Sequence, residues 1–286
     1  MTETDIKGNI PHRQNILTSR AADIARQIFP EQIKDILRQA VRAERAQYPL
    51  KEPHTVTLGG HSAKFWIRNQ SDWYRMGSKD TEGNFAEDLV RTVASSHGVF
   101  LDIGAAQGLY SILAARAQSR VYAIDPDPVS LKSIDENIEL NGEVRERITV
   151  LPVALGNEDG EVVLFSDKSG KYAPSLKKTV SGLGDKLVVQ LSKLDTLVEK
   201  GTIPIPDVIK IDVEGAEGLV LGGMHDTLSS GSKPKHIFLE IHRSYLPLFG
   251  TDPESIIKTL SNYGYALPKD NVWTRRNEIH CHFVAT

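Results

Sequence analysis

Hydrophobic and polar positions recur with two different periods along this chain. Between residues 17 and 47, apolar side chains recur at i, i+3, i+4, i+7 and i+8, which predicts helices with one apolar face. Pro30 divides this stretch into a shorter and a longer helix. Two runs rich in β-formers then flank Gly59-Gly60, and paired glycines suit the positive φ angles of a hairpin turn. We expect residues 1–16 to form a loosely held arm and residues 68–83 to form a loop.

From residue 84 onward, helical periodicity alternates with short and continuously apolar runs. These runs predict buried strands at Val99–Ile103, Arg120–Asp125, Ile148–Ala154, Asp207–Asp212 and His236–Ile241. Asp127-Pro128 and Asp252-Pro253 are typical helix starts, with aspartate as N-cap and proline at the first helical position. Such alternation favours a mostly parallel sheet with helices on both faces. The sequence therefore predicts an α/β domain over residues 84–286, preceded by a helical and β-hairpin extension over residues 1–83.

Weaker features complete the pattern near the end of the chain. Val162–Phe165 predicts a short extra strand, and residues 166–186, rich in Ser, Gly and Lys, predict a long loop. Two final strands are expected to pair with each other. In the last one, His280 and His282 flank Cys281, and the period of two puts the cysteine on the opposite face. We interpret these histidines as strand packing and not as a metal site.

Composition and charge narrow the class of protein. The chain has 286 residues, of which 40% are hydrophobic and 25% charged, with a net charge of -3. This balance gives no electrostatic reason to expect a nucleic acid or membrane partner. A single cysteine excludes an intrachain disulfide, and neither a signal peptide nor a membrane-spanning run is recognisable. We expect a cytoplasmic protein that acts on a small molecule, and the oligomeric state stays open.

The first core strand ends in a glycine-rich turn that runs from Asp102 to Gly108. In open α/β sheets, ligands bind beyond the carboxyl ends of the strands. Gly104 permits the tight turn, and Gly108 lets the following helix pack against the strand. The small side chains of Ala105 and Ala106 leave room for a ligand to lie on the backbone. Alone, such a turn also suits NAD, FAD and other nucleotides.

Two details favour a cationic cofactor at this turn. The dinucleotide fingerprint requires a glycine where this chain has Ala106. Asp102 would repel a pyrophosphate but attract an ammonium and a sulfonium, which suits S-adenosylmethionine. Asp125 ends the second strand, where a carboxylate can accept two hydrogen bonds from a ribose diol. The alternative for Asp125 is a simple turn-forming residue before Pro126.

A second group of candidate residues lies at the ends of two later strands. Asp212 ends the strand DVIKID and would face the bound ligand, so we expect a catalytic or substrate-orienting role. Glu240 and His242 alternate along the next strand and point to one face. Their chemistry suits a general base on a hydroxyl. A divalent metal is the alternative, but the sequence has no tight ligand spacing, and no metal is expected.

Three charged residues near Asp212 in the sequence can be explained by structural roles alone. Glu214 and Glu217 fall in the predicted first turn of a helix, where acids favour the macrodipole and can cap free N–H groups. Lys210 lies inside a strand that should be buried, and a buried charge requires a partner. The sequence does not identify which acid pairs with this lysine.

Four segments together resemble the FkbM family of class I methyltransferases. They are VFLDIGAAQGLYSILAA, VYAIDPDP, DVIKIDVEGAEGLVLGG and IFLEIH, within residues 85–286. The resemblance implies a Rossmann-like sheet of seven strands with an antiparallel last strand. It also implies S-adenosylmethionine as cofactor and O-methylation of a hydroxyl on a sugar, polyketide or related metabolite. Here Ala106 replaces the asparagine that is usual in the family's first loop.

By position, the resemblance implies a cofactor at the turn and chemistry at the later strands. The methionine end of the cofactor would lie at the turn, with the ribose at the second strand and the adenine near the third. The expected cofactor-binding residues are Glu87, Asp102, Gly104, Ala105, Gly108, Asp125, Pro126 and Ala154. The expected catalytic residues are Asp212, His242 and Glu240, with Asp212 or His242 accepting the hydroxyl proton.

Two other function classes use similar folds. One is a nicotinamide-dependent oxidoreductase, which Ala106 and the acid at the strand end disfavour. The other is a protein that binds the cofactor without turning it over, which the acids Asp212 and Glu240 disfavour. Residues 1–83 carry none of the family's segments, and we expect them to contribute to substrate choice.

Overall fold

The main sheet is built from the apolar runs that the sequence predicts as buried strands. The computed structural model describes residues 49–77, 83–166, 176, 185–275 and 278–286. The expected arm of residues 1–16 and the helices predicted between residues 17 and 47 lie outside the described residues. Within those ranges no helix has both the length and the apolar character needed to cross a bilayer.

The strands follow the chain from the hairpin to the C-terminus. They are β1 (His54–Leu58), β2 (His61–Phe65), β3 (Val99–Ile103), β4 (Arg120–Ile124), β5 (Ile148–Leu151), β6 (Ala154–Leu155), β7 (Gly160–Ser166), β8 (Asp185–Ser192), β9 (Val208–Ile211), β10 (His236–His242), β11 (Tyr265–Ala266), β12 (Val272–Arg275) and β13 (Glu278–Ala285). The helices are α1 (Gln70–Asp72), α2 (Gly83–Ser96), α3 (Leu109–Arg116), α4 (Pro128–Leu140), α5 (Leu194–Glu199), α6 (Glu217–Gly222), α7 (His225–Ser229) and α8 (Pro253–Asn262).

The main sheet has the order β11-β13-β10-β9-β3-β4-β5. From β10 to β5 neighbouring strands are parallel, whereas β13 runs antiparallel to β10. The predicted mostly parallel sheet with an antiparallel last strand is therefore confirmed, as is the pairing of the final strands. In the described part of the chain this path has seven strands, and β12 adds an eighth by pairing with β13. Strands β3 and β9 lie side by side at its centre.

The predicted helix starts form as their residues require. Asp127 caps α4 by accepting a hydrogen bond from the backbone N–H of Ser130, with Pro128 at the first position. Asp252 caps α8 in the same way through Ser255. The sheet strands are buried along β9 and along most of β3, β4 and β10, as expected for strands covered on both faces.

The predicted hairpin is confirmed and packs on the helices that cover β3 and β4. Gly59 and Gly60 have φ angles of 56° and 83°, which the tight turn requires. The backbone N–H groups of Lys64 and Trp66 donate to the side chains of Asn141 and Asn137, both at 3.0 Å. These asparagine contacts bind β2 to the end of α4.

Two sequence expectations are wrong in detail. The expected loop at residues 68–83 contains α1 and a π-helical turn over Trp73–Gly77, because Asn69 accepts a hydrogen bond from the backbone of Asp72 and caps this short element. The predicted third strand ends at Leu151. Ala154–Leu155 instead joins a separate sheet with β7 and β8, and β8 overlaps the loop expected over residues 166–186. Most of that expected loop lies outside the described residues.

Candidate active site

A cavity of about 710 Å³ opens at the carboxyl ends of β3, β4, β9 and β10. This is the edge of the sheet where ligands bind in open α/β folds, and its size suits a small-molecule ligand. One side is formed by the turn after β3 and by Asp125, and we call it the turn side. The opposite side is formed by acids and a histidine at the ends of β9 and β10, and we call it the cluster side.

The turn side is held mainly by backbone hydrogen bonds. The N–H groups of Gly104 and Ala105 both donate to the carbonyl of Ile124, at 2.9 and 3.1 Å. Gly104 has a φ of 76°, and a Cβ at this position would overlap the carbonyl oxygen of Asp212. Only glycine fits here, because the turn after β3 presses directly on the chain leaving β9.

Asp125 is fixed at the end of β4 with its carboxylate at the cavity wall. Its Oδ2 accepts from the N–H of Ala106 and its Oδ1 from the N–H of Asp127, both at 2.9 Å. Burial raises the pKa of Asp125 to about 7, although these two hydrogen bonds oppose the shift. Two fixed carboxylate oxygens remain able to accept further hydrogen bonds from a diol.

The sequence did not identify which acid pairs with Lys210, and in the structure this lysine contacts both Asp102 and Asp212. Its ammonium lies 3.5 Å from Asp102 Oδ1 and 3.3 Å from Asp212 Oδ2, and it donates to the carbonyl of Gly104 at 2.9 Å. The lysine is 3% exposed. It therefore ties β3, the turn and the end of β9 together through buried charges.

Three of the expected cofactor-binding residues lie behind the cavity wall. Asp102 is fully buried and accepts a hydrogen bond of 2.6 Å from the hydroxyl of Ser111. Glu87, on α2, accepts from the N–H of Gly59 at 2.8 Å. Gly108 packs against the side chains of α3 and α4. Asp102 and Gly108 therefore suit a structural role beneath the turn, whereas Glu87 fastens the hairpin to α2.

The other expected residues come together around the cavity. Those that line it are Gly104, Ala105, Asp125, Pro126, Ala154, Asp212, Glu240 and His242. The turn and Asp125 lie on one side, with Ala154 beside them at the start of β6. Asp212, Glu240 and His242 form the other side. The structure thus brings the two groups of sequence candidates into one cavity.

His242 is the centre of the cluster side. Its Nδ1 lies 2.7 Å from Oε1 of Glu217, a fully buried carboxylate, and this hydrogen bond orients the ring. Its Nε2 faces three carboxylates at longer range, with Glu214 at 3.6 Å, Asp212 at 3.7 Å and Glu240 at 4.0 Å. Glu217 also accepts from the N–H of Gly215, so it holds the helix start as well as the histidine.

The crowding of charges shifts the protonation of the cluster. Burial alone would lower the pKa of His242, but the hydrogen bond to Glu217 and the surrounding carboxylates raise it to about 10. Burial raises the pKa of Glu214 to about 7. Burial would also raise the pKa of Asp212, yet the charges of Lys210 and His242 hold it below its ordinary value. The cluster therefore holds a proton between acids and imidazole near neutral pH.

Sequence reasoning missed several residues of the cluster side. Glu214 lines the cavity with a φ of 53°, an uncommon conformation for a residue with a side chain. It precedes α6 and does not lie in its first turn as expected. His280, interpreted above as strand packing, also contacts the cluster, because its Nε2 lies 3.2 Å from Oε1 of Glu240 and 3.7 Å from Glu278. The pairing of β13 with β10 was the available signal, since it sets His280 opposite Glu240.

The segment around α1 forms a further wall of the cavity. Tyr74 and Arg75 line it, and Arg75 donates to the side chain of Gln107 at 3.5 Å. Gln107 in turn donates to Asp72 at 3.2 Å. These contacts fasten the segment to the turn after β3. A wall from this part of the chain could not be read from the sequence, where the segment resembles a loop.

Comparison with known families decides the class of this fold. The family described as the methyltransferase FkbM domain matches residues 102–267, more than half of the chain. This chain belongs to the FkbM methyltransferase family. The match begins at the strand end before the turn and includes every residue of the cluster except Glu278 and His280. Membership of this family supports methyl transfer, and not hydride transfer, as the activity of the chain.

Individual proteins and solved structures are similar to this FkbM protein to different degrees. The hexuronic acid methyltransferase AglP of Haloferax volcanii is 28% identical over 215 residues, which cover 74% of this chain and 81% of that protein. A crystal structure of an FkbM methyltransferase from Methylobacillus flagellatus KT is 18% identical with a TM-score of 0.43, covering 65% of this chain and 42% of that one. An S-adenosylmethionine-dependent methyltransferase from Agrobacterium tumefaciens is 12% identical with a TM-score of 0.47, covering 83% and 71%.

Proposed function

We propose that this FkbM methyltransferase uses S-adenosylmethionine to methylate a hydroxyl on a sugar or related small metabolite. The observation that carries the proposal is the arrangement of the cavity. A bare backbone turn and a diol-binding carboxylate lie on one side, and a cluster that can accept a proton lies on the other. Methyl transfer to a hydroxyl needs both halves within one enclosed space.

The turn side fits the cofactor in shape and in polar groups. Gly104, Ala105 and Ala106 expose backbone without large side chains, and Asp125 offers carboxylate oxygens to a ribose. Tyr110 lines the same cavity, and among the described residues its buried hydroxyl has no hydrogen-bond partner. A buried hydroxyl without a partner is costly, so a polar ligand would satisfy it. When bound, the cofactor supplies an electrophilic methyl group on a sulfonium.

The chain's own residues would align the acceptor and receive its proton. The acceptor oxygen must lie within about 3–3.5 Å of the methyl carbon for in-line attack. As the C–O bond forms and the C–S bond breaks, the hydroxyl proton leaves. Asp212 faces the cavity 3.7 Å from the Nε2 of His242, and we assign proton acceptance to Asp212, which the protonated histidine and Lys210 keep ionised. Glu240 orients the acceptor or the histidine from the same strand.

The acceptor class rests on the likeness to a hexuronic acid methyltransferase. A hexuronic acid carries both hydroxyl and carboxyl oxygens, and transfer to either would give a stable product. We assign part of the selection of the methyl acceptor to residues 1–83, because Tyr74 and Arg75 of this segment form a cavity wall. Residues 84–286 would then be the methyltransferase domain proper.

Methyl transfer can be tested directly with labelled cofactor. The full chain is incubated with S-adenosylmethionine tritiated in its methyl group and with a panel of neutral sugars and uronic acids. We expect label in a sugar, in a base-stable ether that marks a hydroxyl acceptor. Label in a base-labile ester would overturn the hydroxyl assignment and keep the methyl transfer. No transfer to any sugar, together with no cofactor binding by calorimetry, would overturn the proposal.

Two variants separate the sides of the cavity. Asp212→Ala should abolish turnover and leave cofactor affinity within about twofold, whereas Asp125→Ala should mainly weaken cofactor binding. Asp226→Ala is a matched control. This aspartate lies on α7 with its side chain 85% exposed, and it is not among the residues that line the cavity. Intact turnover in both active-site variants would contradict the assignments.

A further inference from the structure

We propose that the cluster side binds a divalent metal ion through Asp212, Glu240 and His242. One ligand atom from each residue lies within 4.8 Å of the other two. The residues come from the ends of β9 and β10, adjacent parallel strands at the cavity edge. The inference goes beyond methyl transfer, because ion binding can be measured without cofactor or acceptor.

The orientation of His242 is the first reason. A histidine that binds a metal usually donates its other ring N–H to a carboxylate, which fixes the ring. Here Nδ1 is hydrogen bonded to the fully buried Glu217 at 2.7 Å, so Nε2 is the atom left facing the cavity. The histidine side chain is 7% exposed. This is a buried imidazole with one nitrogen fixed and the other aimed into the site, and a bound ion would displace the proton from Nε2.

The spacing of the ligand atoms is the second reason. Nε2 of His242 lies 3.7 Å from Asp212 and 4.0 Å from Glu240, too far for a direct hydrogen bond. An octahedral ion with bonds of about 2.1 Å keeps adjacent ligands about 3 Å apart and opposite ones about 4 Å apart. The three ligand atoms lie within 4.8 Å of one another, so small rotations of the side chains would bring them to these distances around an ion. The atoms are therefore arranged around a space of ionic size and not in contact with one another.

The support behind the ligands is the third reason. His280 Nε2 lies 3.2 Å from Oε1 of Glu240, the same oxygen that faces His242, and holds this carboxylate in place. Lys210 holds the other oxygen of Asp212, Oδ2, at 3.3 Å, while Oδ1 faces His242. Each proposed ligand thus has a partner that orients it, the pattern expected of a metal site. Two carboxylates and one imidazole, with positions left open, suit Mn²⁺ or a similar divalent ion.

The ion would act on the acceptor oxygen from the cluster side. A hydroxyl bound to a divalent ion releases its proton more easily, and the ion fixes the position of the oxygen. With Asp212 and His242 bound to the ion, Glu214, 3.6 Å from the Nε2 of His242, would receive that proton. A sugar with two neighbouring oxygens could occupy two open positions at once. The site would then favour acceptors with two neighbouring oxygens over acceptors that offer a single hydroxyl.

The test uses the full chain, stripped with chelator and titrated with Mn²⁺. The signal of free Mn²⁺ in electron paramagnetic resonance measures the unbound ion. We expect one ion per chain, with affinity lowered at least tenfold in His242→Ala and in Glu240→Gln. His225→Ala is the matched control, because this exposed histidine lies 4.0 Å from Asp226 without a cavity around it, and its variant should bind like the native chain.

Two results would overturn the site. One is a native chain that binds no Mn²⁺, and no Zn²⁺ or Mg²⁺ by calorimetry, at millimolar concentration. The other is unchanged Mn²⁺ affinity in both ligand variants, each shown to be folded by circular dichroism. Glu240→Gln keeps the side-chain volume, so its result stands even where His242→Ala fails to fold. Absence of methyl transfer would leave these measurements unaffected.

Discussion

The two sides of the cavity are built by different means. On the turn side, the N–H groups of Gly104, Ala105 and Ala106 hold the chain in place and position Asp125. On the cluster side, three carboxylates stand 3.6 to 4.0 Å from the Nε2 of His242. The backbone of the turn side is hydrogen bonded in place before a ligand arrives. The cluster side has unmet bonding capacity, which suits a group that binds an ion and handles a proton.

Lys210 links the two sides, so removing it should have the largest effect. Lys210→Met leaves Asp102 buried without its cation and removes the partner of Asp212. We expect a loss of about 3–5 kcal/mol in the free energy of unfolding, measured by urea denaturation. Lys235→Met is the control, since this lysine is 72% exposed and lies 3.8 Å from Asp207. Equal losses of unfolding free energy in the two variants would contradict the role of Lys210 as the link between the two sides.

A substitution of Glu217 should affect the cluster side and leave the turn side unchanged. Glu217→Ala removes the hydrogen bond to Nδ1 of His242 and frees the ring to turn. We expect turnover and Mn²⁺ affinity each to fall by about 10- to 100-fold, with cofactor affinity unchanged. Glu217→Gln should recover part of both, because the amide oxygen still accepts from Nδ1. Loss of cofactor binding in Glu217→Ala would show that the sides are not independent.

The pH dependence of cofactor binding tests the turn side. Burial raises the pKa of Asp125 to about 7, and a ribose diol prefers the ionised carboxylate. Affinity should therefore be constant above pH 7 and fall below it, by up to about tenfold per pH unit. The charged neighbours of this group are Asp127 and Lys210. Calorimetry between pH 5.5 and 8.5 should show this slope, and Asp125→Asn should abolish it; a slope kept in that variant would refute the assignment.

The smallest expected effect is a gain in stability at the turn. Ala106 has a φ of 49°, in the left-handed region where a side chain costs about 1 kcal/mol. Ala106→Gly should raise the free energy of unfolding by about 0.5–1 kcal/mol, measured by thermal and urea unfolding. Ala115→Gly, inside α3, is the opposing control and should lower it. A destabilised Ala106→Gly chain would mean that the turn is not strained.

The sequence predicted the turn side better than the cluster side, for a physical reason. A glycine turn is a local feature, and both Gly104 and Asp125 lie where the sequence placed them. Contacts of the cluster side join residues far apart in the chain, such as Glu217 with His242 and Glu240 with His280. Their distances depend on strand order and register, which no local pattern contains.

Two particular cases show the same limit. Asp102 ends up beneath the turn because Lys210 lies next to it in register, a pairing fixed only when β3 meets β9. Strand β8 was missed because its outer half is exposed and polar, so its apolar residues do not form a continuous run. Its partner β7 supplies the pairing that its own pattern leaves undefined.

The tight approach of Gly104 to the carbonyl of Asp212 sets a limit on how this enzyme can evolve. Because the two chains touch there, the donor and acceptor sides are spaced by the sheet itself and cannot drift apart by small substitutions. Adaptation to acceptors of new size must then come from the wall around Tyr74 and Arg75, which is fastened only by side chains. The scaffold keeps the distance between donor and acceptor constant, and substitutions in the wall around Tyr74 and Arg75 would change which acceptors fit.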